Sequence, residues 1–172
     1  MPQLELYGGA LTAELPGEWF DASDVRPVPD HQEVWLEKAG PERSFVLELL
    51  EALDGADDET AAREHFAELA SMNEALGFEV LSAGGVADGA PVCATHGPLP
   101  TCILTGTQSL PRDVQQHVTL ALVRLRAHKT DVLFSVCRPV TQTAAAQPAE
   151  DRRLLATLLD TFKVVDWSLF GT

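Results

Sequence analysis

Two carboxylates inside an apolar run are the first candidates for chemistry in this sequence. Glu48 and Glu51 lie three residues apart in FVLELLEAL, among valine and leucine. Burying an unpaired carboxylate is costly, so we expect both to lie at a strand end or on an exposed edge. There they would suit a Lys or Arg of a partner, although a solvated strand rim is the alternative interpretation. The spacing fits a helix face or a strand end with a bulge.

The cysteines and histidines offer a weaker set of candidates. Cys93 and His96, with Cys102 six residues further on, supply three soft ligands, but a closed zinc site needs four and no second pair follows. Cys93 and His96 can also be read as a nucleophile and its base, yet a reactive thiolate needs cations nearby and this sequence has few. We therefore expect no metal site and no catalytic residue, and we interpret the scattered histidines as surface or core residues.

Motifs for nucleotide or hydrolytic chemistry are missing from the sequence. Glycines cluster at Gly84, Gly85 and Gly89, but no GxxxxGK[ST] or GxGxxG joins a strand to a helix. Neither GxSxG nor HExxH occurs. We therefore expect no bound nucleotide and no cofactor, and we expect binding to other molecules to be the function.

The charge is strongly acidic and unevenly distributed. The net charge is −14, and residues 1–80 hold 19 acidic and 4 basic residues, whereas residues 81–172 hold 7 acidic and 8 basic residues. Such a chain is repelled by nucleic acid and by anionic lipid, so neither is expected as a partner. The acidic first half can steer a basic protein into contact, and plain solvation is the alternative interpretation.

Size and composition predict one globular domain spanning residues 1–172, which we expect to be a monomer. The 18.6 kDa chain is 45% hydrophobic and 22% charged, which is ordinary globular usage. No apolar run approaches the roughly 18 residues of a membrane span, and Met1 to Gly9 lacks the features of a signal peptide. Three cysteines without a CxxC pair favour a reducing compartment, the cytosol or the nucleus.

Alternating apolar residues predict several strands. They are Leu11 to Leu15, Gln32 to Lys38, Ser44 to Leu50, Phe78 to Leu81, Cys102 to Thr107, Val118 to Leu125 and Val132 to Cys137. The last two are expected to be central and antiparallel, and a hairpin is expected across Ala39-Gly40-Pro41. Trp19 to Asp30 is interpreted as an ordered loop, because turn formers and two prolines interrupt it.

Two helices complete the predicted elements. One begins after Asp57 and follows helical spacing until Gly77, and the other begins at Pro148 with a leucine stripe that ends at Phe162. Ala83 to Pro100 is interpreted as a long surface connection and Thr141 to Gln147 as a flexible one. The sum is an α+β layer structure in which an antiparallel sheet carries helices on its faces.

Several motifs together resemble one known family. LYGGALTAELP, DASDVRPVPDHQEVWLE and SFVLELLE in the first half are similar to the Mog family of Ran-binding guanine nucleotide release factors. The likeness continues through REHFAELA, TLALVRLRAHKTDVLFSV and the closing FKVVDWSLFG. It covers nearly the whole chain, except that Ala83 to Pro100 does not match closely.

The resemblance implies a fold, a function and a binding site. The fold is a curved antiparallel sheet between helices, the Mog and PsbP-like three-layer sandwich. The function is binding of the small GTPase Ran and release of its nucleotide without covalent chemistry, in support of nuclear protein import, by a protein of the nucleus and cytoplasm. The family's acidic pair falls on Glu48 and Glu51, and further candidates for the same surface are Asp24, Arg26, Asp30 and Glu33. The alternative is a non-exchanging adaptor that holds a transport or membrane protein through the same acidic face.

Overall fold

The structure is a computed structural model that describes residues 3–38, 43–85, 92–93, 97–99, 101–140 and 147–171. Its helices are α1, Asp58–Met72, and α2, Gln147–Thr161. Its strands are β1 Gln3–Leu6, β2 Leu11–Glu14, β3 Trp19–Asp21, β4 Gln32–Glu37, β5 Ser44–Glu51, β6 Gly77–Gly85, β7 Val92–Cys93, β8 Gly97–Pro98, β9 Thr101–Leu110, β10 Val114–Leu125, β11 Thr130–Pro139 and β12 Lys163–Val164.

A seven-stranded sheet forms the centre of the described structure. Its strand order is β3-β4-β5-β11-β10-β9-β6, and every neighbouring pair is antiparallel. A second sheet of three strands has the order β1-β2-β12, and β7 pairs with β8. The predicted central pair, β10 and β11, is confirmed.

The two helices cover opposite faces of the large sheet. On the face that we call the α1 face, Phe66 packs against Leu104 and Leu120. On the other face, the α2 face, the leucine stripe of α2 packs against Phe45 and Phe134, together with the three-stranded sheet. These layers confirm the predicted α+β class with helices on both faces of an antiparallel sheet.

A buried ion pair fixes each helix to the sheet. The Asp131 carboxylate of β11 lies 2.8 Å from His65 Nε2 of α1 and accepts a 3.1 Å hydrogen bond from Arg124 Nε. The Asp151 carboxylate of α2 accepts a 2.8 Å bond from Arg138 Nε. Because buried charges need partners, these pairs set where each helix sits on its face.

Two predicted element bounds were wrong. Trp19 to Asp21 is a strand that pairs with β4, not loop, and the three residues after it form a 3₁₀ helix. Helix α1 ends at Met72, before the predicted Gly77, because Glu74 has a φ of 56° and so leaves the helical region. Leu76 continues the apolar spacing without being helical.

Several other predicted segments lie partly or wholly outside the described residues. Ala39-Gly40-Pro41 lies outside them, although β4 and β5 pair as the predicted hairpin requires. Most of Ala83 to Pro100 also lies outside, while Ala83 to Gly85 extends β6. Residues 141–146 are outside as well. Neither described helix is long and apolar enough to cross a membrane.

Candidate functional site

An open groove of about 380 Å³ lies on the α1 face, beside the C-terminal end of α1. The sheet forms its floor, and α1 and the loop before β4 form its walls. Its lining combines polar and apolar side chains: Arg26, Gln32, Val34, Ser44, Val46, Glu48, Leu69, Met72, Asn73, Leu110, Gln116, Ser135 and Cys137. We call this feature the α1-side groove.

Glu48 lies on the floor of the α1-side groove. It is the fifth of eight residues in β5, it is only 3% exposed, and it pairs across the sheet with Gln32 and Leu133. The prediction that it would lie at a strand end or on an exposed edge was therefore wrong. The groove leaves room above the carboxylate even though strands flank β5 on both sides.

Glu51 is placed quite differently. It is the last residue of β5 and is exposed, as predicted for a carboxylate at a strand end. The register of β5 with β11 runs without a shift from Ser44 to Glu51, so the strand has no bulge there. Because side chains alternate along a strand, Glu48 and Glu51 project from opposite faces of the sheet. Neither predicted explanation of the three-residue spacing, a helix face or a bulge, holds.

The Glu48 carboxylate has almost no partner in the parts of the chain that the structure describes. Its one ionisable partner within 4 Å there is His31, whose Nε2 lies 3.9 Å from Oε2 and whose side chain is about half exposed. No described N–H or O–H group is recorded as donating a hydrogen bond to it. A buried carboxylate ordinarily accepts several hydrogen bonds, so this one can accept further bonds from a partner that enters the open groove.

The loop before β4 brings one further predicted residue to the groove. Arg26 lines the α1-side groove, and its backbone N–H closes the preceding 3₁₀ turn on Ala22. Asp24 and Asp30 are exposed on the same loop but do not line the groove. The structure therefore places Arg26 and Glu48 in the lining of the same groove, whereas Asp24 and Asp30 lie on the surface beside it.

Glu33 lies on the other face of the sheet from the α1-side groove. Its Oε1 accepts a 2.7 Å hydrogen bond from the Tyr7 backbone N–H, on the α2 side of β4. Burial, opposed by that hydrogen bond, raises the pKa of Glu33. Tyr7 Oη in turn donates to the His31 carbonyl at 2.8 Å. The YGGA and DHQEV motifs thus contact each other and hold the loop that carries His31.

The cysteine of the groove is not a reactive group. Burial, with the charge of Asp151 next in importance, raises the pKa of Cys137 to about 12. Thiolate is the reactive form, so the Cys137 thiol is inert at neutral pH. Cys93 and His96 cannot be assessed as a pair, because the Cys93 side chain and all of His96 lie outside the described parts of the chain. Within those parts, no cluster of three or more potential metal ligands occurs.

Ser135 is a groove residue that the sequence analysis missed. It is 1% exposed on β11 and lines the α1-side groove, and its Oγ has no hydrogen-bond partner among the residues that the structure describes. Its only signal in the sequence was a single hydroxyl in the apolar run DVLFSVC. The floor of the groove therefore holds a carboxylate without a Lys or Arg partner and a buried hydroxyl without a hydrogen-bond partner among the described residues.

Comparisons of sequence agree on one family. The family model described as "Ran-interacting Mog1 protein" matches residues 4–139. The Ran guanine nucleotide release factor of Bos taurus is 34% identical over 174 residues, covering 95% of this chain and 84% of its own. The nuclear import protein MOG1 of Saccharomyces cerevisiae is 31% identical over 188 residues, covering 98% of this chain and 84% of its own.

Solved structures give the same result. The Ran-binding protein Mog1p of Saccharomyces cerevisiae superposes with a TM-score of 0.82 at 27% identity, over 99% of this chain and 98% of that one. The PsbP protein of a Synechocystis species has a TM-score of 0.61 at 12% identity, over 95% of this chain and 91% of that one. The second likeness supports the fold alone.

Proposed function

This chain belongs to the Ran-interacting Mog1 family, and from that premise we propose that it binds the small GTPase Ran and promotes release of its guanine nucleotide. The similar proteins named as Ran guanine nucleotide release factor and nuclear import protein support this proposal. The process served is nuclear protein import, and the protein works in both nucleus and cytoplasm. Residues 1–172 act as one domain and as a monomer.

The observation that carries the proposal is the largely buried Glu48 carboxylate on the floor of the α1-side groove, which has no Lys or Arg partner among the described residues. A buried charge without hydrogen bonds destabilises a protein, so its position is best explained by a partner that supplies the missing cation. The open groove gives a Lys or Arg of Ran access to it. On binding, such a pair is desolvated and gains strength relative to one in water.

Nucleotide release requires no covalent step by this chain. A protein that binds nucleotide-free Ran more tightly than nucleotide-bound Ran weakens nucleotide binding by the same factor, because the two effects are reciprocal. A hundredfold weakening corresponds to about 2.7 kcal/mol of coupling. We assign part of that coupling to Glu48, which acts by charge and hydrogen bonding.

The other candidate Ran-binding residues are placed differently with respect to Glu48. Asp24 and Asp30 lie on the loop that carries Arg26, so they add charge near the groove, and Arg26 can meet an acidic group of Ran. Glu51 lies on the opposite face, at the end of β5, where a partner must reach around the strand end to contact it. Glu33 contributes indirectly by holding Tyr7 and the loop.

The test is release of labelled GDP or GTP from purified Ran. The wild-type chain should accelerate release, and Glu48→Gln should lose most of that acceleration. Asp160→Asn, which changes an exposed carboxylate of α2, is the matched control and should release nucleotide like the wild type. If the chain binds Ran without accelerating release, it acts as an adaptor, and the proposed release function is wrong.

A further inference from the structure

Ser135 and Glu48 are neighbours on the floor of the α1-side groove. In the pairing of β5 with β11, Glu48 lies opposite Leu133 and Ser135 lies opposite Val46. Glu48 and Ser135 are therefore diagonal neighbours on one face, and such positions are about 7–8 Å apart. Both side chains line the groove. The Ser135 Oγ is buried without a hydrogen-bond partner among the described residues, and the Glu48 carboxylate has His31 Nε2, 3.9 Å away, as its ionisable neighbour there.

The two groups differ in what they lack. Among the described residues, the carboxylate has no Lys or Arg partner and only His31 within 4 Å, and the hydroxyl has no partner, although it can accept two hydrogen bonds. Leaving both unsatisfied in the complex would carry the full desolvation penalty for each. A ligand that fits the floor must therefore carry a positive charge and several separate N–H donors, so that it can reach both the carboxylate and the hydroxyl.

A guanidinium group meets these requirements better than an ammonium group. It carries five N–H donors in a planar fork, whereas the Lys ammonium is a compact point charge. The apolar lining of the groove, Val34 and Val46 of the floor and Leu69 of the α1 wall, suits the aliphatic stem of such a side chain. Arg26 of the chain itself lines the same groove but forms no salt bridge with Glu48, so it does not neutralise the floor.

We propose that the α1-side groove takes one arginine side chain of the partner, which bonds Glu48 by charge and Ser135 by a hydrogen bond. This inference rests on the proposed function for the identity of the partner, Ran, and adds the residue type that the groove selects. Ser135 acts as a specificity determinant, because its hydroxyl distinguishes a forked donor from a point charge. Its hydroxyl remains unsatisfied until the partner binds.

The first test measures the affinity of Ran for Ser135→Ala by titration calorimetry. A hydrogen bond to a charged group is lost, so the affinity should fall by about tenfold. The matched control is Thr119→Val, which removes another buried, unpartnered hydroxyl from the neighbouring strand β10. Thr119 pairs with Val136 and so faces the α2 side, and its substitution should leave the affinity unchanged.

Stability separates this role from a structural one. The Ser135 hydroxyl makes no bond in the unbound protein, so Ser135→Ala should not lower the denaturant midpoint of unfolding. In the double variant Glu48→Gln with Ser135→Ala, the loss of affinity should be smaller than the product of the two single losses, because one partner side chain contacts both. Losses that multiply would overturn the proposal.

The second test changes Ran and keeps the wild-type chain. Each surface arginine of Ran is replaced by lysine in turn, and one of these replacements should weaken binding of the wild-type chain about tenfold. With that Ran variant, Ser135→Ala should cause no further loss of affinity. The inference is wrong, while Ran binding stands, if no arginine replacement gives this result or if the affinity of Ser135→Ala for Ran is within twofold of the wild-type affinity. If the wild-type chain does not bind Ran at all, both the inference and the proposed function fail.

Discussion

Glu48 and Glu51 lie three residues apart on one regular strand and project from opposite faces of the central sheet. Glu48 is buried under an open groove, whereas Glu51 is exposed at the end of the strand. The two carboxylates therefore do not form one acidic patch on a single face of the sheet. The structure assigns them different environments, and their substitutions should have different effects.

Neutral substitutions should reveal this difference in Ran affinity. Glu48→Gln should cost about 2–5 kcal/mol of binding free energy, because it leaves a desolvated cation of Ran without its counter-charge. Glu51→Gln should cost less than about 1 kcal/mol, as is usual for an exposed pair. Titration of Ran with both variants and with the control Asp160→Asn measures this. Equal losses for Glu48→Gln and Asp160→Asn would contradict the assignment.

The uneven charge of the chain should control how fast it meets Ran. Residues 1–80 carry a net charge of −15 and the remaining residues +1. Electrostatic steering depends on ionic strength, so the association rate constant should fall steeply between low and physiological salt, by about tenfold or more. Stopped-flow mixing with Ran measures this rate. The dissociation rate should change much less, and a salt-independent association rate would exclude steering.

Much of the fold follows from sequence patterns. The alternation in β4 and β5, the paired apolar runs of β10 and β11, and the leucine stripe of α2 all predict the observed elements, because burial on one or two faces fixes each pattern. Trp19 to Asp21 was missed, since a three-residue strand has too little alternation to be seen among turn formers. The end of α1 was misplaced because Leu76 keeps the apolar spacing after the backbone has left the helix.

The site was less accessible to prediction. Glu48 was identified, but its burial was not, because local sequence does not show that α1 stops short and leaves a groove over the middle of β5. Ser135 could not be identified at all, since the lack of a partner for its hydroxyl depends on the whole packing around it. The contact of Tyr7 with Glu33 links residues 26 positions apart and likewise depends on the fold.

The ion pair beneath α1 should make stability depend on acid pH. Burial raises the pKa of Asp131, but hydrogen bonds from His65 and Arg124 outweigh burial and hold that pKa below its usual value. A lowered folded-state pKa gives stability that is present above the unfolded-state value of about 3.9 and is lost as pH falls through the folded-state value. Urea unfolding of the wild type between pH 6 and pH 3 should show this loss.

Asp131→Asn tests the same pair directly. At pH 6 the variant should be about 3 kcal/mol less stable than the wild type, because the buried Arg124 keeps only the part-exposed Asp58, 3.5 Å away, as a counter-charge. The difference in the free energy of unfolding between the variant and the wild type should become smaller as pH falls below about 4, where the wild-type carboxylate begins to protonate. Glu59→Gln, which breaks the exposed pair with Arg63, should cost no more than about 0.5 kcal/mol. A similar cost for both substitutions would show that the buried pair is unimportant.

Gly106 should tolerate no side chain. A Cβ atom at this position of β9 would lie 2.6 Å from both the Glu79 carbonyl oxygen and Phe66 Cζ, so α1 or β6 would have to shift. Gly106→Ala should therefore lower the free energy of unfolding by about 1–3 kcal/mol. Gly84→Ala is the control, since its Cβ would meet no atom within 4 Å among the described residues. Equal stability of the two variants in urea unfolding would contradict this packing.

The central claim is that this chain removes nucleotide from Ran through a buried carboxylate that meets a cation of Ran. It is tested most directly by the rate at which Ran loses fluorescent GDP or GTP when the wild-type chain, Glu48→Gln or Asp160→Asn is added in excess. We predict acceleration by the wild type and by Asp160→Asn, and little or none by Glu48→Gln. Equal acceleration by all three proteins, or none by the wild type, would contradict the account.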